Sequence, residues 1–158
     1  MIPALSHQQL RDTCTALSSA GLNRLVSEID DHGAIPVRGL ERTLADLSPH
    51  QIRQAIEQAV ALGLLTRTSG SVGLSAAGRD LADVYDATAR WARRHNYPAQ
   101  LCHFAERIHH TFALLATPAA DTQDSDDEHD AELGRIHRLL AEWVHTHQRN
   151  RSTYGVAA

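Results

Sequence analysis

Hydrophobic residues recur every three or four positions over the first thirty residues, which is the spacing of amphipathic α-helices. The pattern predicts a first helix that begins at Ser6, where the side chains of Ser6 and Gln9 can form a capping box, and that ends at Gly21. A second helix is predicted to follow and to end at Gly33, because glycine readily adopts the backbone conformation of a C-cap. A short extended segment is predicted over residues 34–37.

The strongest local helix signal is the tetrapeptide Ser48-Pro49-His50-Gln51, which places Ser at the N-cap, Pro in the first turn and Gln three residues after the cap. The helix that it opens is predicted to end at Gly63. Its inward-facing positions are predicted to be Ile52, Ile56, Ala59 and Val60. A short helix over residues 38–46, with Leu40 and Leu44 facing inward, is predicted immediately before it.

Two short strands are predicted over residues 64–67 and 71–74, joined by a turn at residues 68–70. A long helix then opens at Ser75 and is predicted to break at residues 96–98. This order of elements is that of a winged helix-turn-helix domain, and an ordinary amphipathic bundle is the alternative. We therefore predict a mainly α fold, a winged helix-turn-helix with a small β-hairpin wing and C-terminal dimerisation helices.

The C-terminal part predicts two more helices with nearly heptad apolar stripes, one over residues 98–116 and one after an acidic linker at residues 117–130. The two stripes can pack on each other within a chain or across the two-fold axis of a homodimer. The residues assigned to a dimer interface are Leu101, Ile108, Phe112, Leu115, Leu133, Ile136, Leu140 and Trp143. The predicted domains are a winged helix-turn-helix over 1–97, a helical extension over 98–150 and a flexible tail over 151–158.

The net charge of −4 is unfavourable for a DNA-binding protein, but the distribution of charge changes that conclusion. Seven acids and no arginine fall between Asp121 and Glu132, and removing those seven negative charges from −4 leaves +3 for the rest of the chain. The acidic run fits a solvated linker. An autoinhibitory segment that mimics DNA is the alternative.

The two cysteines, Cys14 and Cys102, form no CxxC motif, which favours a reducing cytoplasm over a disulfide framework or a zinc site. Cys14 shares the apolar stripe of the first helix, so a buried inert thiol is expected rather than a redox sensor. The eleven histidines match no tight metal-binding pattern; scattered surface or interface residues are expected, with a metal or pH sensor as the alternative. No cofactor, metal, signal peptide or membrane span is expected.

The helix after Ser48 is the predicted DNA reader. Placing Ile52 and Ile56 inward turns its polar side chains outward, with Arg53 and Glu57 on one flank. Glutamine can pair with adenine and arginine with guanine or phosphate, while the first turn of the helix can hold a phosphate. The residues predicted to contact DNA are Arg38, Arg42, Ser48, His50, Gln51, Arg53, Gln54, Gln58, Arg67, Thr68 and Ser69.

Three segments resemble the HxlR and MarR-like bacterial transcriptional regulators. The segment from Leu47 to Arg67 resembles their recognition helix and first wing strand; its sequence is LSPHQIRQAIEQAVALGLLTR. The segment that starts at residue 73, GLSAAGRDL, resembles the motif LT-x-x-G-x-x-L with which their next helix begins. The segment that starts at residue 86, DATARWARRH, resembles the motif L-x-x-W-x-x-x-H with which that helix ends in the HxlR type. The resemblance covers roughly residues 10–97 and implies a dimeric regulator, often responsive to a small-molecule effector or to thiol chemistry.

The sequence therefore predicts a cytoplasmic, nucleoid-associated regulator that binds double-stranded DNA as a homodimer. The alternative is a winged-helix module that binds protein, such as an antirepressor or adaptor. No nucleophile elbow, phosphate-binding loop or paired-carboxylate motif is present, so an enzyme is not expected.

Overall fold

The computed structural model describes residues 3–99, 103–117 and 127–148. These residues are mainly helical and include a small three-stranded antiparallel sheet. The helices are α1 (His7–Leu17), α2 (Ala20–His32), α3 (Leu40–Thr43), α4 (Pro49–Ala61), α5 (Ala76–Arg94), α6 (Phe104–Ala116) and α7 (Asp127–Trp143). The strands are β1 (Ile35–Pro36), β2 (Leu65–Thr68) and β3 (Ser71–Leu74).

Two of the three helix ends predicted within the first 33 residues are confirmed. The N–H of Ser6 donates to Gln9 Oε1 at 2.9 Å and the N–H of Gln9 donates to Ser6 Oγ at 3.1 Å, as predicted. Helix α2 ends at Gly33, whose N–H donates to Ile29 O and whose positive φ of 85° turns the chain out of the helix. The predicted end of α1 at Gly21 is wrong, because Ser19 caps α2 and places Gly21 within the first turn of that helix.

The segment predicted as one helix over residues 38–46 divides into a 3-10 turn at Val37–Gly39 and the single turn of α3. Leu40 and Leu44 are buried, as predicted. Their burial anchors this short connection although few backbone hydrogen bonds hold it as a helix.

The hairpin of β2 and β3 is confirmed, with Leu65 opposite Leu74 and Thr68 opposite Ser71. Ser69 and Gly70 both have positive φ, at 45° and 81°, which is the backbone of a tight turn that matches the twist of the paired strands. The extended segment predicted at residues 34–37 contributes β1, which pairs with the free edge of β3. The strand order is therefore β1-β3-β2.

Two compact units share the chain. One, the sheet unit, is Ser19–Asp83; the other, the helical unit, combines the described residues of Met1–Ser18 and of Val84–Ala158. The sheet unit holds α2, α3, α4 and all three strands, and α5 begins in the sheet unit and ends in the helical unit. The boundaries of these units differ from those of the predicted domains, and the predicted domains stay a prediction.

A close backbone approach joins the end of α4 to the start of α5 within the sheet unit. The N–H of Ser75 donates to Leu64 O at 2.8 Å, and the Ser75 hydroxyl donates to Gly63 O at 2.7 Å. A Cβ atom on Gly78 would lie 2.3 Å from Leu64 O, so this packing requires a residue without a Cβ atom.

The helical unit is built around side chains from α1, α5 and α6. Tyr85 is fully buried, donates its hydroxyl to Leu17 O at 2.7 Å and lies 6.1 Å, ring centre to ring centre, from Phe112. The Arg107 guanidinium is also buried and donates to the carbonyls of Ala92 and Tyr97, both at 3.0 Å. These carbonyls lie at the end of α5 and in the connection after it, so Arg107 fixes where α6 begins relative to α5.

Five of the eight residues assigned to a dimer interface are already covered within one chain, while the dimer itself stays a prediction. Those buried within one chain are Ile108, Phe112, Ile136, Leu140 and Trp143. A side chain that is already covered by its own chain has no surface to offer a second copy, so the stripes pack intramolecularly. Leu115 and Leu133 are half-buried against the cluster of Trp91 and Ile136, and Leu101 lies outside the described residues.

The bounds of the last two helices also differ from the prediction. Helix α6 begins at Phe104 rather than at residue 98, and α7 begins at Asp127, so residues 127–130 of the predicted linker are helical. Acids are favourable in the first turn of a helix, where the helix dipole is positive, which agrees with a start of α7 inside the acidic run. The rest of the acidic run up to residue 126, like the tail over 151–158, lies outside the described residues.

We predict that Gly78→Ala lowers the free energy of unfolding by about 1–3 kcal/mol, because the added Cβ meets a backbone carbonyl that cannot rotate away. The matched control is Gly134→Ala on α7, where an added Cβ meets no atom within 4 Å. That variant should gain about 0.5–1 kcal/mol from helix propensity. Urea unfolding followed by circular dichroism measures both. Equal stability of Gly78→Ala and the wild type would show that the turn after α4 has room to move.

We also predict that Cys14 reacts slowly in the native protein. Its side chain is buried as expected, and burial raises the pKa of the thiol to about 12, which lowers the reactive thiolate fraction about a thousandfold at neutral pH. Iodoacetamide labelling, followed by mass spectrometry of the peptide that contains Cys14, should show protection in the native protein and full labelling in urea. Rapid native labelling would instead indicate an accessible thiol and revive the redox-sensor alternative.

Candidate nucleic-acid interface

Helix α4 begins with a complete capping box. The N–H of Ser48 donates to Gln51 Oε1 at 2.8 Å, and the N–H of Gln51 donates to Ser48 Oγ at 3.1 Å, while Pro49 occupies the first turn. The predicted helix start is therefore confirmed. The same bonds also occupy part of the Ser48 and Gln51 side chains, which the sequence assigned to DNA.

One face of α4 packs into the sheet unit through Ile52, Ala55 and Ala59, all buried. Ile56 is only half-buried, and Val60, predicted to face inward, is 50% exposed. At about 100° per residue, position 60 lies about a quarter of a turn from the centre of the buried face, so the prediction for Val60 is wrong. The inward face is narrower than predicted because two small alanines allow α4 to approach α2 closely.

The opposite face of α4 is polar and exposed. His50, Arg53 and Gln54 are all exposed, as their assignment to DNA requires. Glu57, placed on a flank by the sequence analysis, lies near the middle of this face and is exposed. Gln58 is half-buried and already has an interaction within the chain.

The other predicted DNA contacts are also at the surface of the sheet unit. Exposed residues outside α4 are Arg38, Arg42, Ser48, Arg67, Thr68 and Ser69. Arg38 and Arg42 precede α4, and Ser48 is its N-cap. Arg67 and Thr68 lie on β2, and Ser69 lies in the turn after it. Of the eleven predicted residues, only Gln58 is not exposed.

The arginines of the sheet unit divide into two groups. Arg24 forms ion pairs with Glu28 and Asp46, and Arg79 donates to Leu74 O at 3.1 Å, so both are engaged within the fold. The exposed arginines that make no hydrogen bond or ion pair with another described residue are Arg38, Arg42, Arg53 and Arg67. The four arginines that the sequence assigned to DNA are therefore the four whose charges remain available to a partner.

Five of the eight acids of the sheet unit interact with other charged side chains of the fold. Glu28 and Asp46 hold Arg24. Asp30 lies close to Asp31 and Asp83, and burial together with repulsion from these two carboxylates raises the pKa of Asp30 above its ordinary value. Glu57 is the only acid on α4, so it alone places negative charge on the predicted reading face.

The first turn of α4 has fewer free N–H groups for binding a phosphate than the sequence analysis predicted. Pro49 has no N–H, the N–H of Gln51 is bonded to Ser48 Oγ, and the N–H of Ile52 donates to Ser48 O. Among the backbone N–H groups of this turn, this leaves that of His50 as a donor to a phosphate.

The histidines in the described ranges do not assemble into a metal site. No group of three or more His, Cys, Asp or Glu within residues 3–99, 103–117 and 127–148 has the geometry to hold a metal ion. His109 and His110 contact each other edge to face, and His145 Nε2 lies 3.0 Å from Pro3 O. Within the same part of the chain, no helix combines the length and the apolar character that a membrane span requires.

Comparison with known proteins identifies no relative. No family model, curated protein or solved structure matches this chain.

Proposed function

We propose that the sheet unit is a winged helix-turn-helix that binds double-stranded DNA with α4 in the major groove. The observation that carries the proposal is the division of the arginines: Arg24 and Arg79 are engaged within the fold, whereas the four exposed arginines have no partner among the described residues. A polar helix face flanked by such charges is suited to a polyanion, because phosphate neutralisation supplies much of the affinity for DNA.

The exposed face of α4 supplies side chains for reading bases. Gln54 can pair with the N6 and N7 atoms of adenine, and Arg53 can donate two hydrogen bonds to guanine. Gln51 contributes less, because its carbonyl oxygen is bonded to the Ser48 N–H in the capping box. We assign the phosphate contacts to three exposed arginines, Arg38, Arg42 and, at the wing, Arg67.

Glu57 limits non-specific binding in this proposal. Its carboxylate lies on the exposed face of α4 and repels phosphates, while it can accept a hydrogen bond from the N4 amino group of cytosine. A reading helix of this kind has modest affinity for random sequence and depends on base contacts for selectivity.

The proposal includes a homodimeric transcriptional regulator in the cytoplasm, associated with the nucleoid. Two copies present two reading helices to half-sites about one DNA turn apart, which raises both affinity and specificity. The dimer surface must differ from the buried stripes of α6 and α7, since these are covered within the helical unit.

A protein-binding module is the second candidate, and one observation favours it. Val60 is half-exposed on the flank of α4 and Glu57 lies on the adjacent exposed face. An apolar side chain beside a carboxylate is better matched to a protein surface than to a phosphate backbone.

We predict that Arg53→Ala and Gln54→Ala each weaken binding to a selected duplex by about 1–3 kcal/mol without changing thermal stability, because each removes a base contact from an exposed position. The duplex is obtained by selection from a random-sequence library with the full chain, and affinity is measured by fluorescence anisotropy. Arg138→Ala removes the same charge from an exposed position of the helical unit and should bind like the wild type.

The same assay distinguishes the two candidates. Glu57→Gln should strengthen DNA binding, because it removes the negative charge from the reading face. Failure of the wild type to bind any duplex at low salt, or an equal loss in Arg138→Ala, would reject α4 as a DNA reader and leave the protein-binding module.

We further predict that Arg42→Ala reduces the slope of log affinity against log salt concentration by about one, because one phosphate contact is lost. Affinity for selected and random duplexes should fall by the same factor. A loss confined to the selected duplex would show that Arg42 contacts a base instead.

A further inference from the structure

Helices α5 and α7 of the helical unit enclose a groove with a volume of about 90 Å³. Each helix contributes four residues at positions i, i+3, i+4 and i+7, so each presents one face to the groove. The lining residues are Ala87, Arg90, Trp91 and Arg94 from α5, and Glu132, Arg135, Ile136 and Leu139 from α7.

The floor of the groove is apolar. Trp91 and Ile136 are almost completely buried, and Ala87 and Leu139 are half-buried beside them. Most of the surface that the groove exposes is contributed by apolar atoms. A ligand in this groove must therefore bring an apolar portion to contact this floor.

The single carboxylate that lines the groove already forms ion pairs within the chain. Glu132 pairs with Arg94 and with His95, whose Nε2 lies 3.1 Å from Glu132 Oε2. The hydrogen bond with His95, followed by the attraction of Arg94, keeps the pKa of Glu132 below its ordinary value, so its negative charge is retained near neutral pH.

Two positive charges on the rim remain uncompensated. Arg90 on α5 and Arg135 on α7 are exposed, and neither makes a hydrogen bond or ion pair with another residue in the described part of the chain. Both flank the apolar floor, one from each helix. Guanidinium groups bind carboxylates through paired, charge-assisted hydrogen bonds.

We propose that this groove binds a small organic carboxylate with a short apolar body. The carboxylate lies between Arg90 and Arg135, and the apolar body covers Ala87, Ile136 and Leu139. A closed apolar cavity of about 150 Å³ holds benzene, so a partly open groove of 90 Å³ suits a short alkyl chain. Inorganic phosphate offers charge without apolar contact and is not the expected ligand.

The test is an NMR titration of the full chain with hexanoate in the absence of DNA. The chain has two tryptophans, of which Trp91 lines the groove and Trp143 does not. The indole N–H resonance of Trp91 should shift saturably while that of Trp143 stays in place. The neutral amide hexanamide and inorganic phosphate should each leave both resonances unchanged.

Arg90→Gln and Arg135→Gln should each weaken hexanoate binding by about tenfold or more, because each removes a charge-assisted contact. The matched controls are Arg93→Gln and Arg138→Gln, exposed on the same helices but outside the groove, and they should bind like the wild type. Ala87→Met should block binding without changing charge, because its side chain occupies the apolar floor.

The proposal is overturned if hexanoate gives no saturable shift, if hexanamide binds equally well, or if the control arginines matter as much as Arg90 and Arg135. The titration contains no DNA and the anisotropy assay contains no carboxylate ligand. Failure of one proposal is therefore distinguishable from failure of the other.

Discussion

The contact between Gly78 and the carbonyl of Leu64 is the constraint on which the sheet unit depends. Helix α4 ends, the hairpin begins and α5 starts within a few residues of this point, where Ser75 bonds to both Gly63 and Leu64. Two backbone segments can approach so closely only where one lacks a Cβ atom. The glycine at position 78 therefore permits the close junction between the end of α4 and the start of α5.

That surface is shaped by how the fold uses its polar groups. Capping occupies Ser48 and Gln51, and internal pairing occupies Arg24, because backbone donors and charges inside or near the core must be satisfied. The polar side chains that make no such bond within the fold are the ones that can contact a partner. The DNA-binding proposal rests on the four arginines that are unpaired within the described part of the chain, of which Arg53 shares α4 with Glu57 and Arg42 lies beside the exposed Glu41.

The helical unit follows the same principle with a different result. Its apolar stripes are used internally, around Tyr85, Phe112 and the buried Arg107, and the arginines of α5 and α7 lie at the surface. Arg94 is neutralised by Glu132, whereas Arg90 and Arg135 are not paired within the described residues. The groove between α5 and α7 therefore has a positively charged rim above an apolar floor.

Local features were predictable from the sequence because they depend on residues only a few positions apart. The capping boxes of α1 and α4, the glycine that ends α2 and the hairpin turn at residues 69 and 70 are of this kind. The α4 residues assigned to DNA that are exposed, His50, Gln51, Arg53 and Gln54, were predictable for the same reason, since helical periodicity separates the polar face of α4 from its apolar face.

Contacts between distant residues were decided by the tertiary structure alone. An apolar heptad stripe is compatible with packing inside a chain or between chains, and only the assembled fold shows that Ile108 and Leu140 are covered internally. The pairing of β1 with β3, the approach of Gly78 to Leu64 and the outward position of Val60 are likewise set by neighbours remote in sequence. The sequence by itself determined where elements begin and turn, because caps and turns are short-range; the tertiary structure decided which faces are covered, because burial depends on what packs against them.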